Sequence, residues 1–127
     1  MSRILVVDDE PGIRYILRKM LENAGHEVIG VESGERCIEK FDEVQPDLIL
    51  MDIMMPGIDG WEACRTIKER WPQDPTPISM LSVLSDGADV KKSFEYAKAD
   101  AHIAKPIDMT KVLETVERLL GESRLPN

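Results

Sequence analysis

The sequence predicts a doubly wound α/β fold, with five parallel strands in one sheet and helices on both of its faces. Three observations carry this expectation. Runs such as Ile4-Leu5-Val6-Val7 and Leu48-Ile49-Leu50-Met51 are short and continuously apolar, as in strands buried on both sides. Stretches with apolar residues at helical spacing separate these runs. The alternation of strand and helix repeats five times, the pattern of a parallel sheet wound by crossovers.

Taken in order, residues 3–8 form the first strand. Asp9-Glu10-Pro11 opens a helix, with Pro near the first turn where its missing N–H costs little. Ile13, Ile16, Leu17, Met20, Leu21 and Ala24 repeat along it, and Gly25 reads as its stop. Residues 27–31 are a more polar strand, suited to a sheet edge. Ser33 or Gly34 begins a second helix with the stripe Cys37, Ile38, Phe41 and Val44, followed by Pro46. Residues 48–52 are the third strand, and the chain turns at Pro56-Gly57. Asp59-Gly60 opens a helix with Trp61, Cys64, Ile67 and Trp71 inward. The proline-rich segment 72–77 is a surface connection, too short to link domains. Residues 78–83 are the fourth strand, and 87–98 a weaker helix with only Val90, Phe94 and Ala97 clearly apolar. A short fifth strand spans 101–104. Met109, Val112, Leu113, Val116, Leu119 and Leu120 mark the last helix, which Gly121 is expected to end. The expected organisation is one domain over 1–121 and a patternless tail over 122–127.

Winding five such units in a flavodoxin-like order, 2-1-3-4-5, sets the first and third strands side by side where the winding reverses. Ligands bind at that point, beyond the carboxyl ends of the strands. The first strand ends in Asp8-Asp9 and the third in Asp52, so three carboxylates converge on one crevice. Alone, Asp52 reads equally well as a turn or cap residue. Together the three pose a physical problem, because two like charges about 4 Å apart repel by roughly 4 kcal/mol at an effective dielectric near 20. A hard divalent cation resolves it, and Mg²⁺ typically takes one or two carboxylates and keeps water for the rest. Neither G-x-x-x-x-G-K-[ST] nor G-x-G-x-x-G follows the first strand, which argues against a nucleotide site. The fourth strand ends at Ser82 and the fifth at Lys105-Pro106, on the same edge. Singly these are an ordinary turn hydroxyl and a solvated lysine. With a metal-bound carboxylate they make a set for handling phosphoryl groups: cation and ammonium neutralise oxygens, the hydroxyl donates, and one aspartate attacks phosphorus.

Composition narrows the class. The 127 residues are 43% hydrophobic and 31% charged, ordinary for a globular domain. A net charge of −8 argues against binding nucleic acid through a broad basic surface. No apolar run has the length of a membrane span. The N-terminus lacks a signal-peptide layout, so a cytoplasmic location is expected. Cys37 and Cys64 sit at apolar helical positions and read as small buried hydrophobes.

Four motifs, Asp8-Asp9-Glu10-Pro11, Met51 through Gly60, Leu81 through Asp86 and Ala104-Lys105-Pro106, resemble the receiver domain of two-component response regulators, including the chemotaxis type. The resemblance runs in register over residues 3–120. It implies that Asp52 accepts a phosphoryl group from a sensor histidine kinase or phosphotransfer protein. It further implies a Mg²⁺ site of Asp9, Asp52 and the Met54 backbone carbonyl, with Asp8 acting through water. Lys105 would hold the phosphoryl group, Ser82 would move toward it, and Lys105-Pro106 would be a cis bond. The chain would then be a signalling domain that catalyses only its own phosphorylation and dephosphorylation. The fourth helix, fifth strand and fifth helix would meet a downstream protein or output domain, or a second copy once phosphorylated.

This sequence departs from the family at three places. Ser82 stands where Thr is common, the bulkier Val83 where Ala or Gly is usual, and His102 where an aromatic usually sits. His102 has two readings, an exposed edge-strand histidine or a participant in switching. His26 reads as inert. Met54 and Leu84 flank the path of an attacking water, and with Val83 they are expected to set the lifetime of the phosphorylated form. A haloacid-dehalogenase-like phosphatase is the alternative from another class. It needs a second Asp two residues after its nucleophile, and that position here is Met54. A receiver-shaped module that is never phosphorylated has the intact acidic pocket against it. Both a stand-alone receiver and the receiver part of a longer regulator stay open.

Overall fold

Alternation along the strands explains why the chain needs helices on both sides of its sheet. The computed structural model describes residues 2–123. In chain order the elements are β1 (Arg3–Val7), α1 (Pro11–Asn23), β2 (Glu27–Val31), α2 (Gly34–Val44), β3 (Leu48–Met51), α3 (Gly60–Arg70), β4 (Ile78–Ser82), α4 (Gly87–Glu95), β5 (Ala101–Ala104) and α5 (Met109–Ser123). All strand pairs are parallel, in the order β2-β1-β3-β4-β5. Ile4, Val6, Leu48 and Leu50 point to one face, where Leu17 and Leu21 of α1 and Val112, Val116 and Leu120 of α5 cover them. Leu5, Val7, Ile49 and Met51 point to the other, against Phe41 of α2 and Cys64 and Ile67 of α3. Successive residues of β1 and β3 thus serve opposite cores, and no residue of either strand's centre remains for water.

Local chemistry sets the helix starts. Pro11 occupies the first turn of α1. Ser33 accepts from the Arg36 N–H at the start of α2, and Asp59 from the Glu62 N–H at the start of α3. Asp86 and Asp89 form a reciprocal capping box on α4. Gly25, at φ +95°, ends α1 as expected.

Several expected boundaries and facings need correction. β1, β3 and β4 each stop one residue early, at Val7, Met51 and Ser82. The ladder still reaches one rung further, since the Asp8 N–H donates to Val31 and the Asp52 N–H to Val7. The carboxylates therefore sit where the backbone leaves the sheet. α4 ends at Glu95 and not at 98; Lys98 takes a left-handed φ of +63° and turns the chain toward β5. Phe94 lies outside, because the helix phase turns Ser93 inward instead. Ile16, Ala24 and Met109 are likewise exposed members of their apolar stripes. α5 continues through Gly121, which adopts no positive φ. It extends to Ser123, whose hydroxyl bonds back to the Leu120 carbonyl. Two residues of the expected tail are thus helical, and the rest lies outside the described residues. Trp71 is half-buried and stacks on Phe41 with ring centroids 4.5 Å apart. Cys37 and Cys64 are free and fully buried, which pushes both thiols up to about 12. Among the described residues no helix is long and apolar enough to cross a membrane.

One glycine is fixed by contact with the backbone at the sheet edge. A Cβ on Gly60 would stand 2.1 Å from the Asp52 carbonyl oxygen, and the Gly60 N–H bonds the Ile53 carbonyl. Helix α3 is thereby pressed against the end of β3. Gly60→Ala must displace backbone, and should destabilise the fold by about 3 kcal/mol in urea unfolding. A loss below about 0.5 kcal/mol, the range of an ordinary surface change, would contradict this close approach.

Candidate functional site

Because β1 and β3 are neighbours with Val7 beside Met51, the next residue of each strand enters the same space. Asp8 and Asp52 are 2% and 5% exposed, while Asp9 is exposed at the rim. One carboxylate oxygen from each lies within 4.8 Å of the others. Lys105, carried past the end of β5 on a cis bond to Pro106, reaches back across the crevice. Its Nζ is 2.8 Å from Asp8 Oδ2 and 3.5 Å from Asp52 Oδ2. The other Asp8 oxygen accepts from the Glu10 N–H, and Arg14 of α1 donates to the Asp8 carbonyl at 2.6 Å. Two buried carboxylates thus share one ammonium, with a third carboxylate at the rim.

The electrostatics follow from that count. Burial, then the neighbouring Asp8 charge, pushes the Asp52 carboxyl above the usual carboxylate range, and Lys105 offsets this only in part. Burial opposes the charge of Lys105, but its hydrogen bond to Asp8 and the field of both carboxylates hold its pKa above the ordinary value. The ammonium therefore stays charged at neutral pH. The donor set, oxygen only and net negative, fits a hard divalent cation. An ammonium group beside a buried carboxylate also fits the transfer of a phosphoryl group.

Ser82 arrives from β4 fully buried. Its hydroxyl accepts from the Leu84 N–H at 3.1 Å, within its own loop, and its carbonyl accepts the Lys105 N–H. Met54 and Val83 are exposed at the surface, and Met54 and Leu84 line one shallow groove with Trp61. His102 is neither exposed nor isolated. Its Nε2 is 2.9 Å from the Ser85 hydroxyl and its Nδ1 is 2.8 Å from the Ser93 hydroxyl. Ser85 donates its own hydrogen to the Ser82 carbonyl, and Trp61 Nε1–H donates to Ser93. His26 is buried against α5, with Nε2 2.9 Å from Glu117.

Sequence reasoning missed Arg14, Ser85, Ser93 and the polar role of Trp61. It also missed Glu35, whose carboxylate accepts the Ile58 N–H and pins the loop after β3. This contact holds the Glu35 carboxyl below its usual range. Arg14 was detectable as the helix position one turn past Pro11. Apart from the local bond of Ser85 to the Ser82 carbonyl, the others join residues far apart in sequence and leave no local signal.

Against known families, residues 4–117 match the model of the response regulator receiver domain. The chain belongs to this receiver family of two-component signalling. It is 43% identical over 119 residues to the transcriptional regulatory protein ResD of Bacillus subtilis, covering 94% of this chain and 48% of that protein. The chain thus spans about half the length of ResD. It is also 32% identical to PilH of Pseudomonas aeruginosa, covering 95% of this chain and 99% of that protein. Among solved structures, the receiver domain of a Syntrophus aciditrophicus histidine kinase superposes with a TM-score of 0.90 at 32% identity, covering 100% of this chain and 96% of that one. The Thermotoga maritima response regulator TrrA, solved with Mg²⁺ and beryllofluoride, gives 0.83 at 36% identity, over 94% of this chain and 99% of that one.

The raised pKa of Asp52 makes its ionisation a cost to the receiver fold. For an acid shifted upward, that cost is fully present above the raised value and is relieved as pH falls through it. In the absence of divalent cations, Asp52→Asn should be more stable than wild type at pH 7. A gain on the order of 1 kcal/mol suits a like-charge contact partly offset by lysine. Chemical unfolding should show the difference closing toward pH 3.8, the ordinary carboxyl value. An Asp52→Asn protein equal to or weaker than wild type at pH 7 would contradict the electrostatic account.

Proposed function

We propose that Asp52 is the phosphoryl acceptor of this receiver and that Mg²⁺ is its cofactor. The observation that supports this most is the gathering of Asp8, Asp9 and Asp52 beside Lys105. An Asp52 carboxylate oxygen attacks phosphorus of a phosphohistidine on a sensor kinase or phosphotransfer protein. The P–N bond breaks, and its electron pair leaves with the imidazole. Asp9, Asp52 and the Met54 carbonyl would hold Mg²⁺, with Asp8 behind a water. The bound ion would neutralise phosphoryl oxygens and the like charge around them. Lys105 leaves Asp52 to pair with an oxygen of the transferred group. Ser82 exchanges its contact with the Leu84 N–H for a hydrogen bond to another oxygen. The reaction is one the domain performs on itself. Residues 1–121 form the receiver unit in this reading, and the setting is cytoplasmic.

The helix least supported by apolar burial is α4, which turns only Ser93 fully inward. Motion of Ser82 is therefore expected to shift α4, β5 and α5, with His102 taking part, and to present that face to a downstream protein, an output domain or a second copy. Incubation with acetyl phosphate and Mg²⁺ should add one phosphoryl group by intact mass, absent in Asp52→Asn. A group mapped to Ser82 or to a histidine would overturn the assignment.

Signal lifetime follows from what flanks the acceptor. Met54 and Leu84 share one groove, and Val83 adds exposed bulk beside it. None of the three side chains can orient an attacking water by hydrogen bonding. Slow self-dephosphorylation is expected. Met54→Asn with Leu84→Glu should speed decay roughly tenfold, if ~1.4 kcal/mol of positioning is restored. Decay measured after donor removal would show this, and equal rates would place control of lifetime elsewhere.

A further inference from the structure

We propose that Ser85, His102 and Ser93 form a polar latch that holds the Ser82 loop to α4, and that protonation of His102 opens it. The inference rests on the switching role proposed for Ser82 and adds to it a second input, acidity. The latch is one continuous chain of hydrogen bonds. Trp61 of α3 donates to Ser93 of α4 at 2.9 Å, Ser93 meets His102 of β5 at 2.8 Å, His102 meets Ser85 at 2.9 Å, and Ser85 donates to the Ser82 carbonyl at 2.9 Å. It spans four elements, α3, α4, β5 and β4, and ends on the residue whose hydroxyl must turn.

Donor counting fixes the protonation state. An indole N–H only donates, so Ser93 accepts from Trp61. Ser85 spends its hydrogen on Ser82, so it accepts from His102 Nε2–H. His102 Nδ1 is then the bare nitrogen of a neutral ring and accepts the hydrogen of Ser93. Every partner is satisfied. A proton on Nδ1 turns that nitrogen into a donor, so both lone pairs of the Ser93 oxygen are taken, one by Trp61 and one by His102. It also strands the Ser93 hydrogen, and Ser93 is fully buried. Withdrawal of α4 gives that hydrogen access to water and relieves the cost.

The surroundings act in both directions. Burial depresses the His102 pKa, against the opposing pull of the Leu84 backbone and of Asp89 on α4. Lys92 of α4 lies over the Trp61 ring, 4.3 Å from its centroid. Lys105 and Asp108, with Lys111 and Glu114 of α5, line the same groove as His102. Because the closed form disfavours the proton, the latch is at full strength above the ordinary histidine value near 6.5. It weakens as pH falls below it. Between pH 7.5 and 5.5 the open fraction should rise by up to about tenfold, the limit when only the open form takes up the proton. Ser82 and α4 are then freer to adopt the phosphorylated arrangement.

Native-state hydrogen exchange on the unphosphorylated protein, corrected for intrinsic exchange at each pH, is the first measurement. Amides of α4 should lose up to about tenfold protection between pH 7.5 and 5.5. His102→Gln, which hydrogen-bonds without titrating, should remove that pH dependence. Ser93→Ala should leave α4 loosened already at pH 7.5. The second measurement is beryllofluoride affinity in saturating Mg²⁺. Wild type and His102→Gln share every carboxylate, so their affinity ratio cancels the titration of the acidic site. That ratio should rise toward tenfold in favour of wild type as pH falls. Unchanged α4 protection in wild type, or a pH-independent ratio, would overturn the latch. Labelling of Asp52 by acetyl phosphate would still stand in that case, which separates failure of the latch from failure of the acceptor assignment.

Discussion

Everything at the working edge of this molecule depends on two carboxylates, Asp8 and Asp52, held out of water beside a single lysine. Burial of a charge is costly unless it is paired and hydrogen-bonded. Asp8 is well provided for, with Lys105 on one oxygen and the Glu10 N–H on the other. Asp52 is not, since its distance to Lys105 is 3.5 Å and Asp8 crowds it with like charge. The carboxylate proposed as the acceptor is therefore the under-compensated one. Its need for positive charge favours the binding of a cation.

The fold meets that constraint in layers. Parallel winding places β1 beside β3, which brings the carboxylates together, and β4 beside β5, which delivers Ser82 and Lys105 side by side. The Lys105 N–H bonds the Ser82 carbonyl, so these two residues share one backbone contact. Gly60 presses α3 onto the Asp52 carbonyl, and Glu35 of α2 holds the loop beyond it. These fix the acceptor side. The Ser82 side is held more loosely, through side-chain hydrogen bonds to a helix with little apolar anchorage. A rigid edge at Asp52 beside a looser one at Ser82 suits the switching role proposed above.

The sheet order and the gathering of Asp8, Asp9, Asp52 and Lys105 were legible because each rests on a local pattern. Apolar runs marked the strands, and polar residues at their carboxyl ends marked the site. The response regulator motifs supplied the roles. Strand ends were misplaced by one residue because the ladder and the turn overlap at Asp8 and Asp52. Gly121 was read as a stop, although nothing at that end of α5 demands a left-handed residue. Phe94 is one of the few apolar residues of α4, yet the helix phase buries Ser93 in its place. The Trp61–Ser93–His102–Ser85 chain was invisible for a related reason. Serine in a sequence reads as a turn or surface residue, and only the packing of α3, α4 and β5 brings these four together.

The central claim is that this acidic site is incomplete without a divalent cation. The most direct test is the unfolding free energy of the unphosphorylated protein as Mg²⁺ is raised through the millimolar range. Binding to the folded state alone predicts a rise of about 1.4 kcal/mol for each tenfold increase above the dissociation constant. Asp9→Ala, which removes a rim ligand while leaving the buried pair, should abolish that rise. A wild-type stability indifferent to millimolar Mg²⁺ would contradict the account at its base.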